Sequence, residues 1–203
     1  MSKNLYIISG CNGAGKTTAS FTMLPKIWEC KEFVNADEIA RGLSPFNNES
    51  VAIEAGRIML NRIDALLEAG VSFSIETTLS TRFHRKLALK ARNMGYIVQL
   101  CYLWLDTPQM AIQRVAKRVS EGGHNIPEET IIRRYYAGLH RFFDTYMDCV
   151  DYWLLVDNSV NPRTIVAEKG PDGQPKIYQQ QTFNRIKERL AENEGKLYPN
   201  STL

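Results

Sequence analysis

Gly10-Cys11-Asn12-Gly13-Ala14-Gly15-Lys16-Thr17 satisfies the spacing G-x-x-x-x-G-K-[ST]. The glycines let the backbone turn so that successive N–H groups point inward as an anion nest. A helix starting near Gly15 adds its positive end to that nest. Lys16 is then placed to reach β- and γ-phosphates, and the Thr17 hydroxyl to help hold Mg²⁺. Thr18 continues the same turn. Cys11 is expected to be a neutral filler of the loop.

Moving a phosphoryl group to a hydroxyl needs a base on the acceptor side. Two carboxylates are candidates. Asp37 follows the β-like run Phe33-Val34-Asn35, and Glu76 follows Phe73-Ser74-Ile75. Both fall where a strand ends, the edge at which open α/β sheets bind ligands. The competing role for Asp37 is a helix N-cap over Ile39–Arg41. Glu76 either reaches Mg²⁺ through a water or contacts the acceptor. Thr77 and Thr78 either bond substrate or satisfy a tight turn.

Positive charge to meet the transferring phosphoryl comes later in the chain. Arg114, Lys117 and Arg118 stand three and four residues apart, so they share a helix face. Gly122-Gly123-His124 reads as a flexible joint, and Arg133 and Arg134 ride the next helix. Helix, glycine hinge and helix with opposed arginines describe a lid over a triphosphate. A solvated amphipathic surface is the plain alternative.

Those groups need a frame, and the chain alternates short β-rich runs with helical patterns, the mark of parallel βαβ units in a three-layer α/β sandwich. Strands are expected at Leu5–Ser9, Glu32–Asn35, Val71–Ile75, Tyr96–Leu105 and Tyr152–Val156. Helices are expected at Glu49–Ala69 (with Ile58, Ile63, Leu66 and Leu67 on one stripe), Thr81–Asn93 and Pro108–Val119. A fourth should run to about Met147 from a capping box of Asn125 and Glu128, with Pro127 in its first turn. The core is expected over residues 1–160, with the lid at about 108–147. Residues 161–203 are expected to be an appendage of the same domain: a hairpin turning at Pro171-Asp172-Gly173, a helix over Gln180–Ala191 and a frayed last ten residues.

The 203 residues carry 44% hydrophobic and 23% charged residues with a net charge of +3. That is ordinary globular composition, compatible with an anionic ligand and well short of a nucleic-acid footprint. Cys11, Cys30, Cys101 and Cys149 are scattered without a metal-ligand spacing, as in a reducing compartment. The longest apolar run, from Tyr96 to Leu105, is too short to span a bilayer. With the first strand expected so early, no secretory signal is expected. The expected location is cytoplasmic.

Taken together, the segments GCNGAGKTT, VNADEIARGLSP, SIETT and RVAKRVSEGGHNIPEETIIRRYYAG resemble the zeta toxin family of P-loop kinases, over about residues 4 to 159. The resemblance implies a mainly parallel five-stranded sheet of order 2-3-1-4-5 with right-handed crossovers. It also implies Asp37 as general base, accompanied by Arg41 and Pro45, although Ser44 stands where the family usually has histidine. Glu76 and Thr78 become acceptor contacts. Arg118 and either Arg133 or Arg134 become the lid arginines. Mg²⁺ and ATP, with GTP as the alternative, would occupy residues 10–18, with the base near Asn158 and Ser159. UDP-N-acetylglucosamine is the implied acceptor and a small antitoxin the implied protein partner. A polynucleotide 5′-kinase, a nucleoside or metabolite kinase and a non-catalytic ATPase switch are the alternatives.

Overall fold

The computed structural model describes residues 2–24 and 28–191. The expected fraying of the last ten residues lies outside them. The architecture is organised by one sheet, in which five parallel strands share a common carboxyl edge. These are β1 (Asn4–Ser9), β2 (Glu32–Val34), β3 (Phe73–Thr77), β4 (Ile97–Trp104) and β5 (Tyr152–Asp157). Helices connect them: α1 (Lys16–Met23), α2 (Ala36–Leu43), α3 (Ala52–Ala69), α4 (Phe83–Asn93), α5 (Pro108–Ser120) and α6 (Glu128–Arg141). The parallel strands run in the order β2-β3-β1-β4-β5.

Pleating divides the core. Leu5 and Ile7 of β1 join Phe73 and Ile75 of β3 and Leu100 of β4 in the larger cluster, with Ile63, Leu66 and Leu67 of α3 and Leu87, Ala88 and Ala91 of α4. Tyr6 and Ile8 point the other way, to Leu24, Cys30 and Trp28. β4 is buried from Leu100 to Trp104, as befits a strand covered on both sides.

Four expectations are corrected. The sheet has seven strands: β6 (Thr164–Lys169) pairs antiparallel with β5, and β7 (Pro175–Ile177) with β6. The hairpin thus extends the sheet edge rather than hanging from it, because Val166 and Ala167 are fully buried against the core. The closing helix α7 (Gln180–Ala191) buries Ile186 and Leu190. The capping box does not form; Pro127 itself is the N-cap of α6, with no side-chain cap hydrogen bond. Past Arg141 that helix opens into a π turn over Phe142–Tyr146. Ile58 is 38% exposed and leaves the α3 stripe, while a 3₁₀ turn over Asn48–Val51 precedes the helix.

The fourth correction concerns Gly122-Gly123. The Gly123 N–H bonds to Arg118 O at 2.8 Å and the Gly122 N–H to Val119 O at 3.0 Å. With Gly122 at φ +88°, this is a Schellman cap that ends α5, a fixed turn rather than a loose joint.

Candidate active site

Because β1 to β5 are parallel, the loops that leave their carboxyl ends converge on one edge. The first is the phosphate-type loop. Gly15, at φ +79°, is the N-cap of α1, and Gly13, at φ +77°, lies so close to α5 that a Cβ would sit 2.7 Å from Ala111 O. Neither position accepts a side chain without strain. Asn158, just past β5, braces the loop by donating from Nδ2 to Ala14 O at 2.8 Å. Arg114 holds that brace, donating to Asn158 O at 2.9 Å. Ser159 Oγ accepts from Asp106 N at 2.7 Å. Thr18 is exposed on α1.

Lys16 is 8% exposed and donates to Cys11 O at 3.0 Å, so its ammonium lies curled over the loop. Burial pushes the Cys11 thiol up to about 11, outweighing Lys16, which keeps it neutral. Thr17 Oγ1 donates to Glu76, lying 3.1 and 3.0 Å from its two carboxylate oxygens. The Lys16 ammonium is 3.9 Å from the same carboxylate. Glu76 sits above the usual carboxylate range, first because it is buried; Lys16 and Thr17 oppose the shift, and Asp37 and Glu38 add to it. Thus Glu76 belongs to the phosphate loop's floor. A hydroxyl and a carboxylate oxygen side by side are the hard donors Mg²⁺ prefers, so these residues fit that ion.

A residue the sequence reading passed over ties this floor to α2 and Asp37. Asn35 follows β2, is 6% exposed and caps α2, its Oδ1 accepting from Asp37 N at 2.8 Å. Its Nδ2 donates to Glu76 Oε2 at 3.0 Å. The cap role weighed for Asp37 therefore belongs to Asn35. An asparagine two residues before an acid at a strand-to-helix junction was the available signal.

Asp37 lines a cavity of about 430 Å³ together with Arg41, Glu49, Arg118, His124 and Arg134. Arg134 reaches the phosphate loop, donating to Asn12 Oδ1 at 3.3 Å. Partial burial lowers its pKa, with Arg133 adding to that and Asp37 opposing it. Arg133 is exposed and does not line the cavity. Arg118 is turned toward the connecting loop, donating to His124 O at 2.7 Å. Arg41 pairs with Glu38 at 3.1 Å. His124 Nε2 stands 3.6 Å from Glu49 Oε1, both residues lining the cavity.

The turn after β3 is internally bonded. Thr77 Oγ1 accepts from Leu79 N at 3.1 Å and lies 3.2 Å from His84 Nδ1. Leu79 is fully buried at φ +53°, and Thr78 Oγ1 is 2.8 Å from Ser80 Oγ. Thr77 and Thr78 thus bond within the turn and do not line the cavity. Among the described residues no helix is long and apolar enough to cross a membrane.

The family model described as Zeta toxin matches residues 1–150. An uncharacterised protein of Haemophilus influenzae is 27% identical over 135 residues, covering 66% of this chain and 94% of that one. The crystal structure of AvrRxo1-ORF1:-ORF2 with ATP is similar at TM-score 0.72 and 17% identity, over 91% of this chain but only 63% of that longer chain. A structure of the PezAT chromosomal toxin-antitoxin system of Streptococcus pneumoniae is similar at TM-score 0.61 and 18% identity, over 94% and 87% of the two chains. At such identities the structural likeness is one of fold. The family match spans the phosphate loop, both carboxylates and the arginine helices: the chain belongs to the zeta toxin family, with the fold of a P-loop kinase.

Proposed function

We propose that this chain is an ATP-dependent phosphotransferase that moves the γ-phosphate onto a hydroxyl of a small molecule. The observation that carries the reading is a single cavity lined by both Asp37 and Arg134, the latter bonded to the phosphate loop. The amides of residues 10–18 grip the phosphates and Lys16 exchanges the Cys11 carbonyl for phosphate oxygens. Thr17 and Glu76 would hold Mg²⁺, which when bound would supply positive charge against the β- and γ-phosphates. Asp37 takes the proton as the acceptor oxygen bonds to the γ-phosphorus and the bond to the ADP oxygen breaks. Arg134 and Arg118, on a lid over about 108–147, stabilise the charge spread over the equatorial oxygens.

The presence of ATP in the AvrRxo1-ORF1:-ORF2 structure supports ATP as donor. The family resemblance supports UDP-N-acetylglucosamine as the first acceptor to try, and PezAT supports an antitoxin as partner. The test incubates the protein with Mg²⁺, γ-labelled ATP and a metabolite extract, with Lys16→Ala as blank. Label on a small hydroxyl compound, absent from the blank, is the expected result. Label only on nucleic-acid ends, or only free phosphate, would overturn the reading in favour of a polynucleotide kinase or an ATPase switch.

A further inference from the structure

The Asn35 amide makes two contacts with opposite requirements. Its Oδ1 accepts from the Asp37 N–H at 2.8 Å, and its Nδ2 donates to Glu76 Oε2 at 3.0 Å. A backbone N–H offers only a proton and a carboxylate offers only lone pairs, so the amide has one usable orientation; flipped, it would break both bonds. Sequence and topology dictate the placement. β2 and β3 are parallel with Val34 opposite Ile75, so the next residues along, Asn35 and Glu76, come side by side at the carboxyl edge. The chain turns into α2 at the same residue, so one buried side chain touches both the strand end that serves the phosphate loop and the helix that carries Asp37.

Glu76 is itself held from the other side by the Thr17 hydroxyl. A continuous path therefore runs Thr17, Glu76, Asn35, Asp37 backbone, with every link a hydrogen bond between 2.8 and 3.1 Å. Thr17 can keep donating to Glu76 while its lone pairs turn to a metal ion. Filling the phosphate side would therefore act first on the carboxylate to which the Asn35 amide is anchored.

We infer that Asn35 is a positioning residue that couples occupancy of the phosphate loop to the placement of α2, and so of Asp37, through the bridge from Glu76 Oε2 to the Asp37 amide. The inference rests on the phosphoryl-transfer reading and adds to it an ordering device: the helix with the base is set once nucleotide and metal are in place.

Asn35→Ser separates the two jobs of this side chain. Serine is a good N-cap, so α2 keeps its first bond, but its Oγ lies one bond nearer the backbone than the asparagine Nδ2 and falls short of Glu76. Hydrogen exchange of the full chain is followed with and without Mg²⁺ and adenosine 5′-(β,γ-imido)triphosphate. In the wild type, amides at the start of α2 should slow by at least about fivefold on adding nucleotide, the lower end of ordinary site-to-site coupling. In Asn35→Ser, nucleotide affinity should stay within about twofold, while the α2 response disappears. Asn35→Thr, a weaker cap that still offers one side-chain oxygen, gives the same reading if the serine variant fails to fold. An α2 response in the variants equal to that of the wild type would overturn the coupling, as would a wild type that binds nucleotide without any α2 response. A wild type that binds no nucleotide would instead sink the phosphate-site reading, and this inference with it.

Discussion

Gly138 lies fully packed in α6, four residues after Arg134, and a Cβ added there would lie 2.4 Å from Thr78 O in the turn after β3. Ordinary carbon–oxygen contacts begin near 3.3 Å, so Gly138→Ala forces α6 to retreat by about 1 Å. Thr78 O is backbone in a turn built around buried Leu79, and it has little room to give. Arg134, one turn up the same helix, bonds Asn12 Oδ1 at 3.3 Å. A shift of about 1 Å takes that contact to roughly 4 Å, outside hydrogen-bonding range. Misplacement on this scale lowers turnover about a hundredfold. Overpacking costs about 1–3 kcal/mol of stability, offset in part by roughly 1 kcal/mol from the better helix former. Gly56, in α3 with nothing near its missing Cβ, is the matched control; Gly56→Ala should stabilise by about 0.5–1 kcal/mol and leave activity alone. Steady-state transfer from labelled ATP and thermal melts read both outcomes. A Gly138→Ala protein with wild-type turnover would refute the claim that this contact places Arg134.

Other consequences follow from individual side chains. Arg134→Ala should lower the transfer rate about a thousandfold, whereas Arg133→Ala, on the exposed side, should stay within about twofold, as measured by single-turnover kinetics. His84 is held down to about 4 by burial, so its folded pKa is depressed below 6.5. The stability this protects is whole above pH 6.5 and shrinks by up to about 3 kcal/mol as pH falls to 4, a loss that His84→Gln should flatten in denaturant titrations. For Glu76 the sign reverses. Its raised pKa means stability is whole below pH 4.5 and is lost as pH rises through the folded value. Glu76→Gln should therefore melt no lower than wild type at pH 7 without nucleotide, yet bind Mg²⁺-ATP about tenfold more weakly by calorimetry.

Much of this arrangement was legible in the sequence because local pattern and global position coincide there. The glycine spacing before Lys16 has one backbone solution, and each parallel strand delivers whatever follows it to the same edge. That is why Asp37 and Glu76 could be picked out as site candidates from strand ends alone. What escaped was pairing. Asn35 reads as an ordinary cap until β3 is known to lie beside β2, and only then does its second bond exist. Gly122-Gly123 carries the same two letters whether hinge or Schellman cap; the bond back to Arg118 decides it. Ile58 fits the α3 stripe by period, yet it is exposed in the fold. The hairpin's union with β5 depends on Val166 and Ala167 finding the sheet edge, a contact between distant segments that no local pattern announces.

The proposed transfer depends on an acid–base group facing a gripped triphosphate. The direct measurement is the single-turnover rate of γ-phosphate transfer by Asp37→Asn beside its affinity for Mg²⁺-ATP. The predicted result is a rate lower by about 10²–10⁴ with affinity unchanged, since Asp37 lines the cavity beside the phosphate loop and α2 is capped by Asn35 instead. Transfer at the wild-type rate in that variant would contradict the mechanism.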